Sequence, residues 1–376
     1  AVFTIASGAI ILVPTFLWSV GYIANIDTLT YKLVWWAMGH SSQQINVSAH
    51  VAVWYLIAAV TVGAKPLSEK VSGTAFLLYI FFLQLASAHH LLVEPGLSSE
   101  WKIVNTSYMM YLAVLGSMIH GMTVPGSIEA AQRKSGYTRG VFEWLRKAPW
   151  GNPAFAGMFL SLVMFGFLGG ITGVILGTEQ LNIIMHNTLY VPGHFHATVV
   201  TGTTLAFMAV TYLVVPLIFQ RQIIWPKLAR LQPYLFGFGA AGISLFMMGA
   251  GTLGVARRHW DISFADALLP YGYPPMASLM MGLNGLSAIL AATGGALYVL
   301  ITVGSILFGK KVDETNAVAS LGPMPKKVVR EAVTKYGNAG TWHLPGTYVL
   351  VGIFFTTFIL YYFVNWKYLS ELWPMQ

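Results

Sequence analysis

The sequence predicts an all-α, polytopic membrane protein, and three observations carry that prediction. Of its 376 residues, 56% are apolar and only 9% are charged; a soluble domain carries about 25% charged residues. The apolar residues gather into nine long segments, each exceeding the roughly 20 residues that a helix needs to cross the hydrocarbon core. The basic residues then sort by loop. Lys65 and Lys70, Arg133, Lys134, Arg139, Arg146 and Lys147, Arg221, Lys227 and Arg230, and Lys310, Lys311, Lys326, Lys327, Arg330 and Lys335 make 16 of the 21 Lys and Arg, all on one side. By the positive-inside rule those loops are cytoplasmic. An odd number of spans then puts the N-terminus inside and the C-terminus outside the cell membrane. The net charge of +8 follows from this topology and does not argue for nucleic-acid binding.

The first segment, 1–23, is apolar from its start and has no cleavable-signal pattern. The second, 33–62, carries Gly39-His40-Ser41-Ser42-Gln43-Gln44. The third, 72–94, contains Ala88-His89-His90, with Glu94 at its outer end, and the fourth is 104–127. The fifth, 153–178, holds Gly166, Gly169, Gly170 and Gly173, small residues that let helices approach closely. The sixth, 183–219, includes His186-Asn-Thr-Leu-Tyr-Val-Pro-Gly-His194-Phe-His196. Segments 234–255, 274–308 and 343–367 complete the bundle. No Asp or Glu falls in the middle of a segment, so a carboxylate relay across the bilayer is not expected.

Six imidazoles in membrane-apolar sequence are expensive to bury and mark a functional site. His194 and His196 are two residues apart, which on a helix turns them about 200° from one another, so one helix presents a metal ligand on each face. His40, His89 and His90 supply three imidazoles, the ligand set of a catalytic copper, or of a non-haem iron with one added oxygen ligand. Gln44 lies four residues after His40, on the same helix face. The chain has no cysteine, which removes thiolate ligands. Arg257-Arg258 break the charge asymmetry, and two adjacent guanidiniums suit an anionic group; the alternative is a local salt bridge to Asp261 or Asp266. A transporter without cofactors is disfavoured, because carriers seldom cluster six imidazoles with no intramembrane acid.

These residues carry a resemblance. The His40 segment, Ala88-His89-His90 and Val191-Pro192-Gly193-His194-Phe195-His196 are similar to the signature of haem-copper oxidase subunit I. Trp101-Lys102, Ala148-Pro149-Trp150-Gly151-Asn152-Pro153-Ala154-Phe155 and His186-Asn187-Thr188 resemble its B-type branch. The resemblance covers nearly all of the chain and implies a single transmembrane catalytic domain over 1–376, equivalent to helices five onward of the family bundle. It implies that His194 is the proximal ligand of a high-spin haem and His196 a ligand of a low-spin haem. His40, His89 and His90 then hold the distal metal, and His186, Arg257 and Arg258 bind haem propionates. Asn182 stands where B-type members have an Asp near a propionate.

Two departures follow from the same comparison. The family's second low-spin haem ligand lies on a helix upstream of residue 1, so the missing N-terminal helices belong either to the same chain or to a separate one. His50 is a poor substitute, ten residues and about 280° round the helix from His40, and His120 has no assigned partner. Oxygen-reducing members also have His-Pro-x-x-Tyr, whose phenol donates an electron and a proton. This sequence has Ser41 and Gln44 at those positions, and an amide forms no phenoxyl radical. Tyr55, the next phenol, is fifteen residues past His40.

Reduction of two NO to N₂O takes two electrons and two protons, which two reduced metals supply without a radical side chain. The sequence therefore favours a nitric oxide reductase, with Gln44 catalytic by orienting a bound species or water. The alternatives are oxygen reduction to water of the cytochrome c oxidase type and, from another class, a haem-carrying electron-transfer subunit. Other subunits of a membrane respiratory complex, with a cytochrome c or copper electron-donor subunit, are the implied partners.

Overall fold

The computed structural model describes residues 2–83, 85–86, 88–258, 272–313 and 343–372, and among these every regular element is helical. Isolated bridges pair Thr188 with Ala256 and Arg221 with Lys311. They tie loops together at opposite ends of the bundle, the first beside the histidines and the second at the basic end.

Local signals in the sequence set the helix ends. Helix α1 spans Val2–Ser19, and α2 spans Thr28–Val62, opened by the Asp27 side chain accepting from Thr30 N. Gly63, at φ 70°, closes α2 in the left-handed conformation that glycine adopts without a Cβ penalty. Helix α3 (Glu69–Leu78) continues as a π-helix over Tyr79–Leu83. Helices α4 (Ser99–Ile103) and α5 (Tyr111–Lys134) join through a π-helical stretch, Val104–Met110. After the short α6 (Glu143–Arg146), the Asn152 side chain caps α7 (Pro153–Met164), with Pro153 in the first turn where its missing N–H costs nothing. A π-helix, Phe165–Gly170, links α7 to α8 (Ile171–Leu176), and α9 is Glu179–Met185. Helix α10 (Tyr190–Phe195) runs through the π-helix His196–Thr204 into α11 (Leu205–Phe219). The remaining helices are α12 (Pro226–Thr252), α13 (Pro275–Phe308) and α14 (Pro345–Leu372).

Among the described residues, six helical stretches are long and apolar enough to cross a membrane: Thr28–Val62, Pro153–Leu176, Tyr190–Phe219, Pro226–Thr252, Pro275–Phe308 and Pro345–Lys367. The expected third span differs most. Its helix ends near Leu83, and His89 and His90 stand on a 3-10 turn, Ala88–His90, with Glu94 in the turn beyond. Backbone leaves a helix at membrane depth only where protein groups take its hydrogen bonds. Here Asn105 Nδ2 donates to the Leu85 carbonyl at 2.5 Å and Asn182 Nδ2 to the His89 carbonyl at 3.1 Å. The sixth segment also divides: α9 precedes a turn in which Asn187 has φ 59°, and the membrane-length helix starts at Tyr190. Lys326, Lys327, Arg330, Lys335, Asp261 and Asp266 lie outside the described residues.

The main apolar core forms between α2, α7 and α11 around Val51, Trp54, Ile57, Phe155, Phe159 and Leu213. Polar side chains lock it: Trp54 Nε1 donates to Ser161 Oγ at 2.9 Å, and Ser161 Oγ donates to the Gly202 carbonyl at 2.6 Å. These bonds fix the register of α2 and α7 against the π-helix below His196. Helix α14 buries only 6% of its apolar window, so that face meets lipid or another subunit.

Candidate metal centre

Helix α2 and the 3-10 turn bring three imidazoles together. His40 and His89 are buried and His90 is partly buried, and one ring nitrogen from each lies within 4.8 Å of the other two. His40 Nδ1 is 3.1 Å from His90 Nε2. Trp36, one turn before His40, stacks on His90 with centroids 3.9 Å apart and planes at 7°. That stacking fixes the ring that the adjacent histidine's backbone alone leaves free. Gln44 Nε2 lies 2.8 Å from His40 Nε2, and its Oε1 is buried with no hydrogen-bond partner.

His194 faces this triad across a cavity lined by His40, Gln44, His89, His90, Gly169, Gly173 and Phe195. Thr172 Oγ1 donates to the Leu168 carbonyl, so it accepts from His194 Nδ1–H at 2.8 Å. This leaves His194 Nε2 free to act as a ligand. A Cβ on Gly173 would stand 3.2 Å from His194 Cε1, and one on Gly169 would stand 2.9 Å from Thr198 Cγ2. The glycines therefore clear the wall beside His194. A flat macrocycle on the His194 Nε2 side fits such a wall, whereas a run of branched side chains would exclude it. Four π-helical stretches adjoin or line the cavity, a placement common at functional sites.

His196 Nδ1–H donates to the Pro192 carbonyl at 2.8 Å, again leaving Nε2 available. Metal-ligating histidines hold their other nitrogen in this way. His196 is not among the residues lining the cavity that His194 shares.

At the outer end, His186 Nε2 approaches Glu94 Oε1 at 3.5 Å, and Lys32 Nζ donates to Glu94 Oε2 at 2.8 Å. The hydrogen bond from Lys32 holds the Glu94 carboxyl below the usual carboxylate range. Burial lowers His186 from its ordinary value, against the attraction of Glu94. Arg257 donates through Nε and a terminal nitrogen to Asn187 Oδ1 at 3.2 and 3.0 Å, while Arg258 is exposed. The Thr188–Ala256 bridge thus gathers His186, Asn187 and Arg257 at one rim. Asn182 is not at that rim; it holds the His89 and Leu176 carbonyls.

His50 and His120 are structural in their contacts. His50 Nδ1 pairs with Thr203 Oγ1 at 3.0 Å between Trp54 and Phe165, and His120 Nδ1 lies 3.1 Å from the Tyr55 hydroxyl. Tyr55 also meets Ser72 and Thr123, and Tyr79 donates to Ser117, which lines the cavity. Sequence reasoning missed Trp36, Thr172, Asn105 and this hydroxyl chain. For Trp36 and Thr172 the only local signals were spacing: Trp36 four residues before His40, and Thr172 beside Gly173.

Membrane-length helices enclosing three clustered imidazoles, with a fourth facing them across a cavity, define a polytopic membrane protein with a multi-histidine cluster that could hold a metal. The chain belongs to the cytochrome c and quinol oxidase polypeptide I family, whose pattern matches residues 1–293. It is 31% identical over 288 residues to cytochrome c oxidase subunit 1 of Thermus thermophilus, covering 76% of this chain and 50% of that one. It is 22% identical over 305 residues to cytochrome c oxidase polypeptide 1 of Halobacterium salinarum, covering 78% of this chain and 44% of that protein. A solved heme-copper terminal oxidase dimer is similar with a TM-score of 0.77 and 25% identity, over 95% of this chain and 62% of the other. The chain thus spans about half the length of the curated relatives it matches.

Proposed function

We propose that this chain carries the catalytic centre of a respiratory terminal reductase that converts nitric oxide to nitrous oxide. The observation behind the choice is Gln44. Its amide contacts His40 in the cavity where oxygen-reducing relatives in the resemblance keep a phenol, and no tyrosine is among the residues lining that cavity. The balanced reaction, 2 NO + 2 e⁻ + 2 H⁺ → N₂O + H₂O, asks for no third electron source.

His194 and His196 would hold a high-spin and a low-spin haem, and His40, His89 and His90 a copper, with non-haem iron as the alternative; when bound, these groups supply the two electrons and the Lewis acidity. Thr172 and the Pro192 carbonyl orient the two haem-binding imidazoles through their Nδ1–H. Trp36 and Gln44 orient the triad. Arg257, with Arg258 and His186, would meet propionates at the outer rim. Protons would reach the cavity through hydroxyls and imidazole, with Tyr79 and Ser117 nearest to it. Burial of the triad and an apolar wall including Val47, Val174 and Phe195 keep bulk water from the reacting gas.

A second reading, oxygen reduction to water, is favoured by the named relatives, which are cytochrome c oxidase subunits. Steady-state gas consumption by the purified complex, with NO and O₂ offered separately, decides between them. NO turnover to N₂O well above O₂ consumption is expected. Rapid, complete O₂ reduction with NO untouched would overturn the reading.

A further inference from the structure

We infer that Gln44 is the positioning residue of His40. In the metal-loaded centre its amide oxygen accepts the His40 Nε2–H, and this fixes Nδ1 as the ligating atom. The inference rests on the reading that His40, His89 and His90 hold a metal.

The two edges of the His40 ring face different groups. Nδ1 points to the triad, 3.1 Å from His90 Nε2, and Nε2 points to Gln44, 2.8 Å away. A neutral imidazole carries one proton, on one nitrogen or the other. With the Gln44 NH₂ donating to Nε2, that proton sits on Nδ1 and donates to His90 Nε2. A metal needs the Nδ1 lone pair, so the same proton must move to Nε2, with no net gain or loss. The NH₂ group and Nε2–H would then oppose each other.

A half-turn of the Gln44 amide resolves the clash by presenting Oε1. In the present arrangement Oε1 is buried with no hydrogen-bond partner, so the turn breaks no bond that Oε1 already makes. Glutamine is a neutral side chain that offers both a donor and an acceptor, and it therefore serves both proton placements. It sits on the same rigid helix face as His40, one turn away. A hydrogen bond from the Gln44 side chain thus restrains His40.

The test compares purified wild-type complex with Gln44→Met and Gln44→Glu. Methionine is close in length and offers no strong acceptor, whereas glutamate keeps one. Distal-metal affinity is read by chelator competition after reconstitution with copper, alongside haem content. Loss of an outer-shell partner costs about 10–100-fold in metal affinity. Gln44→Met should fall by that factor with haem content unchanged, and Gln44→Glu should stay within a few-fold of wild type. In complex labelled with ¹⁵N-histidine, reduced and bound to carbon monoxide, the metal-bound Nδ1 resonance should appear in wild type and Gln44→Glu and be lost in Gln44→Met. Equal affinity and unchanged nitrogen signals in Gln44→Met would overturn the positioning role while leaving the metal centre standing. Wild-type complex that takes up no distal metal would overturn both.

Discussion

His194 is the residue on which the haem assignment turns. Its Nδ1 is held by Thr172 and its ring edge is cleared by Gly173. His194→Ala should abolish the high-spin haem's ligand-binding signal and leave the low-spin spectrum mainly intact. The contrasting change is His89→Ala, which should leave both haems and remove one metal per complex. Survival of both haem signals in the first variant, or an unchanged metal count in the second, would sink the assignment. Gly173→Val adds bulk where a bare Cβ already meets His194 Cε1 at 3.2 Å. Tilting that ring should broaden or abolish the high-spin signal without loss of protein.

The rim residues allow a separate measurement. Replacing Arg257 and Arg258 with neutral side chains removes positive charge from the side where propionates would bind. The oxidised haems carry more positive charge, so they gain stability and the midpoint potentials should fall. Potentials unchanged within error would reduce the pair to a surface role, with Arg257 serving only its bond to Asn187.

At the scale of elements, the joint between α5 and α14 is held by one buried carboxylate. Glu129 Oε1 accepts from Arg133 Nε at 2.7 Å and from Gly346 N at 3.0 Å. Glu129 Oε2 accepts from Thr347 N and Thr347 Oγ1. It therefore binds the positive end of α14, whose first N–H groups have no partner within the helix. Breaking a buried ion pair from one side costs about 3–5 kcal/mol. Glu129→Ala should lower the thermal unfolding midpoint in detergent, while Glu129→Gln, which keeps an acceptor, loses less. Equal midpoints for the alanine variant and wild type would show that α14 is held by its apolar contacts alone.

For the whole molecule, the orientation follows from charge. The loops bearing Lys65, Arg139 and Arg221 lie at the end opposite His186 and Arg257, as helix alternation and the two loop bridges require. We expect that basic end to be cytoplasmic. These 376 residues hold no cysteine, so an introduced cysteine is the single thiol within them. A cysteine at Gly140 should react only with membrane-permeant maleimide, and one at Ser98 with the impermeant reagent as well. The reverse pattern would invert the topology and place the metal centre toward the cytoplasm.

Membrane class, the approximate positions of most apolar segments and a set of candidate imidazoles were legible in the sequence. Hydropathy and helical spacing are properties of residues near one another along the chain. His194 and His196 on opposite faces, and Gln44 on the face of His40, are readings of that kind. Where His89 and His90 sit was not legible, because a helix and a 3-10 turn share the same local apolar sequence. Asn105 and Asn182, distant in sequence, take the carbonyl bonds and decide that the backbone leaves the helix there. The same holds for Trp36 over His90, Thr172 under His194 and the wall cleared by Gly169 and Gly173. Spacing along one helix says which side chains share a face, but not what stands opposite. Only the packing of one helix on another supplies the second partner of each bond, and with it the nitrogen each imidazole leaves free.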